Sequence, residues 1–238
     1  MTRELHKATE RGKGDFGWLK TRYSFSFANY DNPERSGVGA LRVLNDDIID
    51  AGKGFDKHPH DNMEIITIVT EGALEHKDTL GGQGIIKPGD VQVMSAGMGI
   101  EHAEFNHSKT APLKLFQMWI EPKEYDVKPR YEQRTFDEKK AQNALSLIVS
   151  GKKEKDALVI NQDAKIFQGR FDAGKTLDYS LGNDRIAFLF IIKGEAKVGD
   201  IILKERDALE VEEEKHLVLA FTKSTRLLLF DLPPSADG

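Results

Sequence analysis

Four residues have the types and spacing to hold a metal ion. His58 and His60 stand two apart around Pro59, at the start of the apolar stretch GFDKHPHDNMEIITIVTEG, and His102 and Glu104 stand two apart in GMGIEHAEFN. In an extended strand, residues i and i+2 project from the same face. Each pair therefore presents two donors together, while Pro59 faces away. On neighbouring strands of a small barrel the two pairs would converge as three imidazoles and one carboxylate. The chain has no cysteine, which excludes thiolate ligands, disulfides and thiol nucleophiles. The remaining N/O set suits one divalent transition ion per chain, Fe(II) first, with Mn, Ni, Cu, Co or Zn as alternatives. On a six-coordinate ion two positions stay free for water, substrate or dioxygen, and an open position separates a catalytic from a structural metal. A lone H-x-H reads as a polar loop. Two such pairs at glycine-bounded strand positions in one half of the chain argue against that reading.

Strict alternation after His60 puts Asn62 and Glu64 on the same inward face. Glu64 is then a substitute ligand or a group that orients a histidine; the second is favoured because Glu104 already supplies a carboxylate. His76 is expected to be a hydrogen-bonded barrel histidine, with the pocket mouth as the alternative. His107 is expected in a loop, and His6 and His216 at the surface. Trp18 and Trp119 suit core or inter-barrel packing. Phe25, Phe27 and Tyr30 read as core, with a pocket wall as the alternative. Gly97 and Gly99 are placed to bend the backbone ahead of His102.

The elements that must position these residues are strands. Short Ile/Val/Phe/Leu-rich segments such as ALRVLNDDIID, EIITIVTEG, LKLFQMWIEP and IAFLFIIKGEAKV alternate with turn clusters. Lys87-Pro88-Gly89-Asp90 suits a type II turn. Helical periodicity is weak, and Asp137 to Ala144 reads as a short polar turn. In each half an apolar strand ends in Gly, then come a short strand, a turn with Asp, another strand, a histidine-bearing segment and a last apolar strand closed by proline. That order predicts an all-β chain of two related barrels in tandem. The boundary is expected near residue 135, giving units 1–134 and 135–238. The second half has only His216 at the comparable position.

The 238 residues are 39% apolar and 31% charged with a net charge of −5, as in ordinary globular proteins. The acidic balance gives no electrostatic reason for direct nucleic-acid or anionic-membrane binding. The opening MTRELHKATERGKGDFGW lacks the apolar core of a signal peptide, and even the apolar stretch that contains 187–192 is too short to span a bilayer. The expectation is a cytoplasmic protein.

GFDKHPHDNMEIITIVTEG followed by GDVQVMSAGMGIEHAEFN resembles the signature of the pirins, a branch of the cupin superfamily. GWLKTRYSFSFANY, ALRVLNDDIIDAGKGF, PRYEQRTF and LLLFDLPP extend the resemblance to bacterial pirin-like quercetin 2,3-dioxygenases over nearly the whole chain. It implies a bicupin of two jelly-roll-like barrels packed face to face, with a C-terminal cupin that carries no metal. It also implies a metal held by His58, His60, His102 and Glu104. Asp61-Asn62-Met63 departs from the Arg-Gly-Phe of eukaryotic pirins, so their substrate contacts do not transfer.

The activity implied is opening of a flavonol heterocycle such as that of quercetin by dioxygen, with release of carbon monoxide and Glu104 as proton acceptor. The partners are then a flavonol-like aromatic and O2. The alternative is a non-catalytic redox sensor or regulatory pirin that binds a protein partner. Isomerase or hydrolase chemistry is a third option, which zinc would favour.

Overall fold

A computed structural model describes residues 2–235, and their regular secondary structure is almost all strand. The first ten strands are β1 (Thr2–His6), β2 (Gly12–Asp15), β3 (Leu19–Tyr23), β4 (Leu41–Ile49), β5 (Gly54–Glu71), β6 (Leu74–Asp78), β7 (Gln83–Ile86), β8 (Asp90–Asn106), β9 (Leu113–Ile120) and β10 (Arg130–Thr135). The remainder are β11 (Leu145–Ser150), β12 (Leu158–Val159), β13 (Lys165–Phe171), β14 (Thr176–Ser180), β15 (Ile186–Lys193), β16 (Glu195–Val198), β17 (Ile201–Lys204), β18 (Ala208–Glu212), β19 (His216–Phe221) and β20 (Thr225–Leu232). The polar turn near 137–144 is a single 3-10 turn, Glu138–Ala141, capped by the Asp137 side chain, which accepts from the Lys139 amide.

A 9-stranded sheet runs β2-β3-β4-β9-β5-β8-β6-β7, with β10 added against β8. A 7-stranded sheet, β1-β18-β15-β20-β13-β11-β12, and a 4-stranded sheet, β14-β19-β16-β17, make the second half. Two long strands organise the first half, because β5 pairs with both β8 and β9 and β8 pairs with β5, β6 and β10. The segment 65–69 of β5 is buried on both faces, as its unbroken Ile-Ile-Thr-Ile-Val run requires. Ile66 and Ile68 join a core shared with Phe188, Phe190 and Phe230 of the second half, and Phe116 meets Phe190 edge-on at 5.5 Å. The second half has its own core around Phe171, Leu189, Leu219 and Phe221.

Asp90 donates its amide to the Lys87 carbonyl at 2.8 Å, and Gly89 has φ +95°, as the type II turn requires. No helix among the described residues is long and apolar enough to cross a membrane.

His6 departs from expectation. β1 crosses to the other half and pairs with β18, so His6 is buried at the seam between Phe25 and Phe188, with Glu210 3.4 Å from its Nε2. A strand that leaves its own barrel carries its inward residues into the neighbouring core. His216 is exposed beside Asp178, and His107 directly follows β8.

Candidate metal centre

β5 and β8 bring the histidines together through register. His58 stands opposite His102, and β6 continues the row with Asp78 opposite His102. The next row sets His76 opposite Glu104. Directly opposed residues share a face, so the chemistry of three strands collects on one side of the sheet. The rings of His58, His60 and His102 lie 4.5 to 4.9 Å apart. One donor atom from each of the three lies within 4.8 Å of the others. Glu104 does not fall in that group. It belongs to a second one, with His76 and His102, so His102 is the member common to both.

The tautomers follow from the hydrogen bonds. His58 Nδ1 donates to the Asp56 carbonyl at 2.7 Å, which leaves Nε2 without a proton, 3.1 Å from His102 Nε2. Two ring nitrogens each about 2.1 Å from one ion and at right angles to each other would be about 3.0 Å apart. The observed spacing fits two such neighbouring donors. Burial, then the adjacent His102 and His58, push His60 down to about 4, although Glu104 pulls the other way. Burial and the neighbouring rings also hold His102 down to about 4 against the pull of Glu104. Both are neutral imidazoles at pH 7, the form that binds metal.

Glu104 is buried and ionised. Burial alone would raise its pKa, but His76, the His102 ring and the Gln92 amide outweigh it and hold the group near 2. Gln117 Nε2 donates to Glu104 Oε2 at 2.9 Å and Gln92 Nε2 to Oε1 at 3.4 Å. Gln92 and Glu104 are twelve residues apart on β8, about 40 Å in a straight strand, so β8 folds back on itself. The bend is at Gly97 (φ +49°) and Gly99 (φ +129°), as expected of these glycines.

The same bend corrects the reading of Asn62 and Glu64. The β5–β8 register slips between His60 and Asn62, and Asn62 adopts φ +58° while accepting from the Asp126 amide at 2.7 Å. A bulge shifts every later residue to the other face. Glu64 is fully buried but accepts from Ser95 Oγ at 2.6 Å, in phase with Ile66 and Ile68 of the shared core. Neither residue lies on the histidine face.

His76 is the hydrogen-bonded barrel histidine expected. Its Nε2 meets Asp78 at 3.0 Å, its Nδ1 lies 3.4 Å from His102 Nδ1, and its ring stacks on Tyr131 at 4.5 Å. Burial opposes protonation of His76, but the Glu104 and Asp78 carboxylates prevail and raise its pKa.

His58, His60 and Glu104 open on a cavity of about 200 Å³. Trp119, expected in core, lines it and meets His60 edge-on at 5.0 Å. Phe27 is a wall residue, whereas Phe25 lies in the shared core and Tyr30 stacks on Tyr23. Trp18 packs on Phe55 at 5.2 Å rather than between the barrels. β3 adds Leu19, Thr21 and Tyr23 to the wall, and β4 adds Asn45 and Asp47. Sequence reading did not single these out. Their signal is polarity in the buried phase of β4, where Val43 and Ile49 share the face of Asn45 and Asp47.

Two barrels in tandem, one with imidazoles converging on a cavity, define a bicupin. Residues 4–120 match the Pirin family and residues 147–232 the quercetinase C-terminal cupin domain. The chain is 39% identical over 230 residues to a quercetin 2,3-dioxygenase of Escherichia coli strain K12, covering 97% of this chain and 98% of that protein. It is 40% identical over 221 residues to a pirin-like protein of Caulobacter vibrioides, covering 92% and 95%. The crystal structure of the bacterial pirin YhhW from Escherichia coli in complex with nickel(II) superposes with a TM-score of 0.93 at 38% identity, covering 98% of this chain and all of that one. The chain belongs to the pirin family.

Proposed function

We propose that the protein is a metal-dependent dioxygenase that opens the heterocycle of a flavonol such as quercetin. The observation that carries this reading is the convergence of His58, His60 and His102 beside a cavity that His58, His60 and an ionised Glu104 line together with Phe27, Phe55 and Trp119. The similarity to a quercetin 2,3-dioxygenase and to a nickel-bound pirin supports it. His58, His60 and His102, with Glu104 as fourth donor, would hold one divalent ion, Fe(II) first.

The donor set fits such an ion. His58 Nε2 carries no proton and faces a second ring nitrogen, an arrangement that a cation relieves. A bound ion would lower the pKa of the flavonol 3-hydroxyl and bring substrate and dioxygen together. The chain supplies the rest. Trp119, Phe27 and Phe55 shape a dry slot for the ring system. Glu104, held by Gln92 and Gln117, is placed to accept the 3-hydroxyl proton through one oxygen. Both atoms of O2 enter the products, the heterocycle opens to an ester-linked acid, and one carbon leaves as carbon monoxide.

The test is elemental analysis of protein purified without added metal, followed by an oxygen electrode with quercetin. One ion per chain and oxygen uptake that both vanish in His60→Ala are expected. Full turnover by a metal-free variant overturns the reading.

A further inference from the structure

The cavity has a second polar feature that the ligand set does not use. Thr21, Asn45 and Asp47 each keep 4% or less of their exposure, yet all three line the cavity. Thr21 Oγ1, Asn45 Oδ1 and Asp47 Oδ1 have no hydrogen-bond partner among the described residues. Register explains why they cluster: Thr21 stands opposite Asp47, and Tyr23 opposite Asn45. β9 alone separates them from β5, with Asn45 opposite Gln117 and Gln117 opposite Thr67. One polar layer thus runs from the Gln117 that holds Glu104 to this wall.

Unpartnered buried polar groups are rare, because each forfeits its bonds to water. Three in one wall of a cavity that Phe27, Phe55 and Trp119 also line form a site built for donors brought by a ligand. Asp47 shows the strain on this wall. Burial, with a contribution from Asp46 and Glu104, pushes it up to about 7, although the Thr21 hydroxyl and Arg11 act in the opposite sense and no well-formed hydrogen bond joins Thr21 to it. The neighbouring Asp46 turns to the other face and is bound by Arg206 at 2.7 Å, so the two adjacent acids have separate tasks.

We propose that Thr21, Asn45 and Asp47 form a hydroxyl-recognition subsite, which binds phenolic O–H groups of the substrate remote from the oxygen pair that faces the histidines. The inference rests on the dioxygenase reading for the orientation of the substrate. The carbonyl oxygen of Asn45 and the carboxyl oxygen of Asp47 accept from O–H groups, and Thr21 can accept or donate. Polyhydroxylated flavonols are then preferred over flavonols that carry the 3-hydroxyl alone. Asp47 is here a substrate-contacting residue that selects, distinct from the groups that hold the ion.

The test compares quercetin with 3-hydroxyflavone, which has the same 3-hydroxyl and 4-carbonyl and no other hydroxyl. Dissociation constants are read without oxygen, by tryptophan fluorescence, on the metal-containing protein. At pH 8, where Asp47 is ionised, loss of a buried hydrogen bond to a charged group predicts that Asp47→Ala weakens quercetin about tenfold or more and leaves 3-hydroxyflavone unchanged. The isosteric Thr21→Val, which keeps Asp47, tests the same wall if Asp47→Ala does not fold; a loss of about threefold for quercetin alone is expected. Equal binding of the two flavonols by the wild type, binding of neither, or a preference that survives both variants overturns the proposal, and the wall then holds water only. Oxygen uptake is recorded separately. A quercetin preference without uptake defeats the dioxygenase reading and leaves the subsite standing; uptake without a preference does the reverse.

Discussion

The Nδ1 atoms of His76 and His102 lie 3.4 Å apart, and the far nitrogen of His76 meets Asp78 at 3.0 Å. A buried carboxylate therefore stands behind the His102 ring, acting through a second ring. For His102 Nε2 to bind an ion, the ring proton must sit on Nδ1 and donate to His76 Nδ1, while His76 Nε2 donates to the Asp78 carboxylate. Asp78→Asn keeps an acceptor for the Leu80 and Gly82 amides but offers His76 an N–H instead of a carboxylate oxygen. It is expected to weaken metal affinity by roughly 10- to 100-fold, read by competition with a chelator. Wild-type affinity in this variant would mean that the strands alone orient His102.

Metal removal should be visible in stability. An ion that binds only the folded chain stabilises it by about 2.7 kcal/mol at a hundredfold excess over its dissociation constant. Chelation should lower the thermal midpoint and nickel or manganese should restore it, whereas His60→Ala should be insensitive to both. A midpoint that ignores chelator in a metal-containing sample would contradict the ligand assignment.

Asp47 should give the protein a distinctive pH dependence. Its folded pKa, about 7, is above the unfolded value of about 3.9, chiefly through burial. Between those values the folded chain holds a proton that the unfolded chain has lost, so this group's contribution falls as pH rises from about 4 to about 7. His60 and His102, held down near 4 by burial, act in the opposite sense over much of the same range: their contribution is lost as pH falls. The measurement is therefore a difference. Urea midpoints at pH 5 and pH 8 should show Asp47→Asn gaining on the wild type by a few kcal/mol at the higher pH. Parallel curves would show that Asp47 is ionised at little cost.

Gly97 is predicted to tolerate no side chain. It has φ +49°, and a Cβ there would lie 2.0 Å from the Val127 carbonyl, which accepts from the Met98 amide. Gly97→Ala should cost more than about 1 kcal/mol and, by straightening the bend, lower metal affinity as well. Denaturant titration and metal titration of one variant test both; loss of stability with metal affinity intact would separate the bend from the site.

The clustering of His58, His60 and His102, with Glu104 beside them, was legible because a strand repeats every two residues and because these residue types are unusual at such spacing. Two tandem barrels were legible from the repeated order of strand, glycine, turn and proline. Asn62 and Glu64 were misplaced because alternation assumes an unbroken ladder, and a bulge with φ +58° at Asn62 breaks it. His76, Gln92 and Gln117 reach Glu104 across strands and around a bend, contacts that no local pattern encodes. His6 was read as surface because nothing in TRELH indicates that the strand pairs with residues 208–212. Asn45 and Asp47 were hidden in a segment recognised only as a strand.

The pairing of β1 with β18 also sets an order of events during synthesis. The partner strand is made about 200 residues after His6, which at roughly 5–20 residues per second is a delay of about 10–40 s. Until then Thr2–His6 has no sheet to join, and the first barrel must close without it. When β18 emerges, the early strand covers what would be a free sheet edge and ties a segment made before the first barrel to the barrel made after it. The strand therefore acts as a late clasp: deleting it should let the nascent chain condense normally and then leave an adhesive edge on the finished protein.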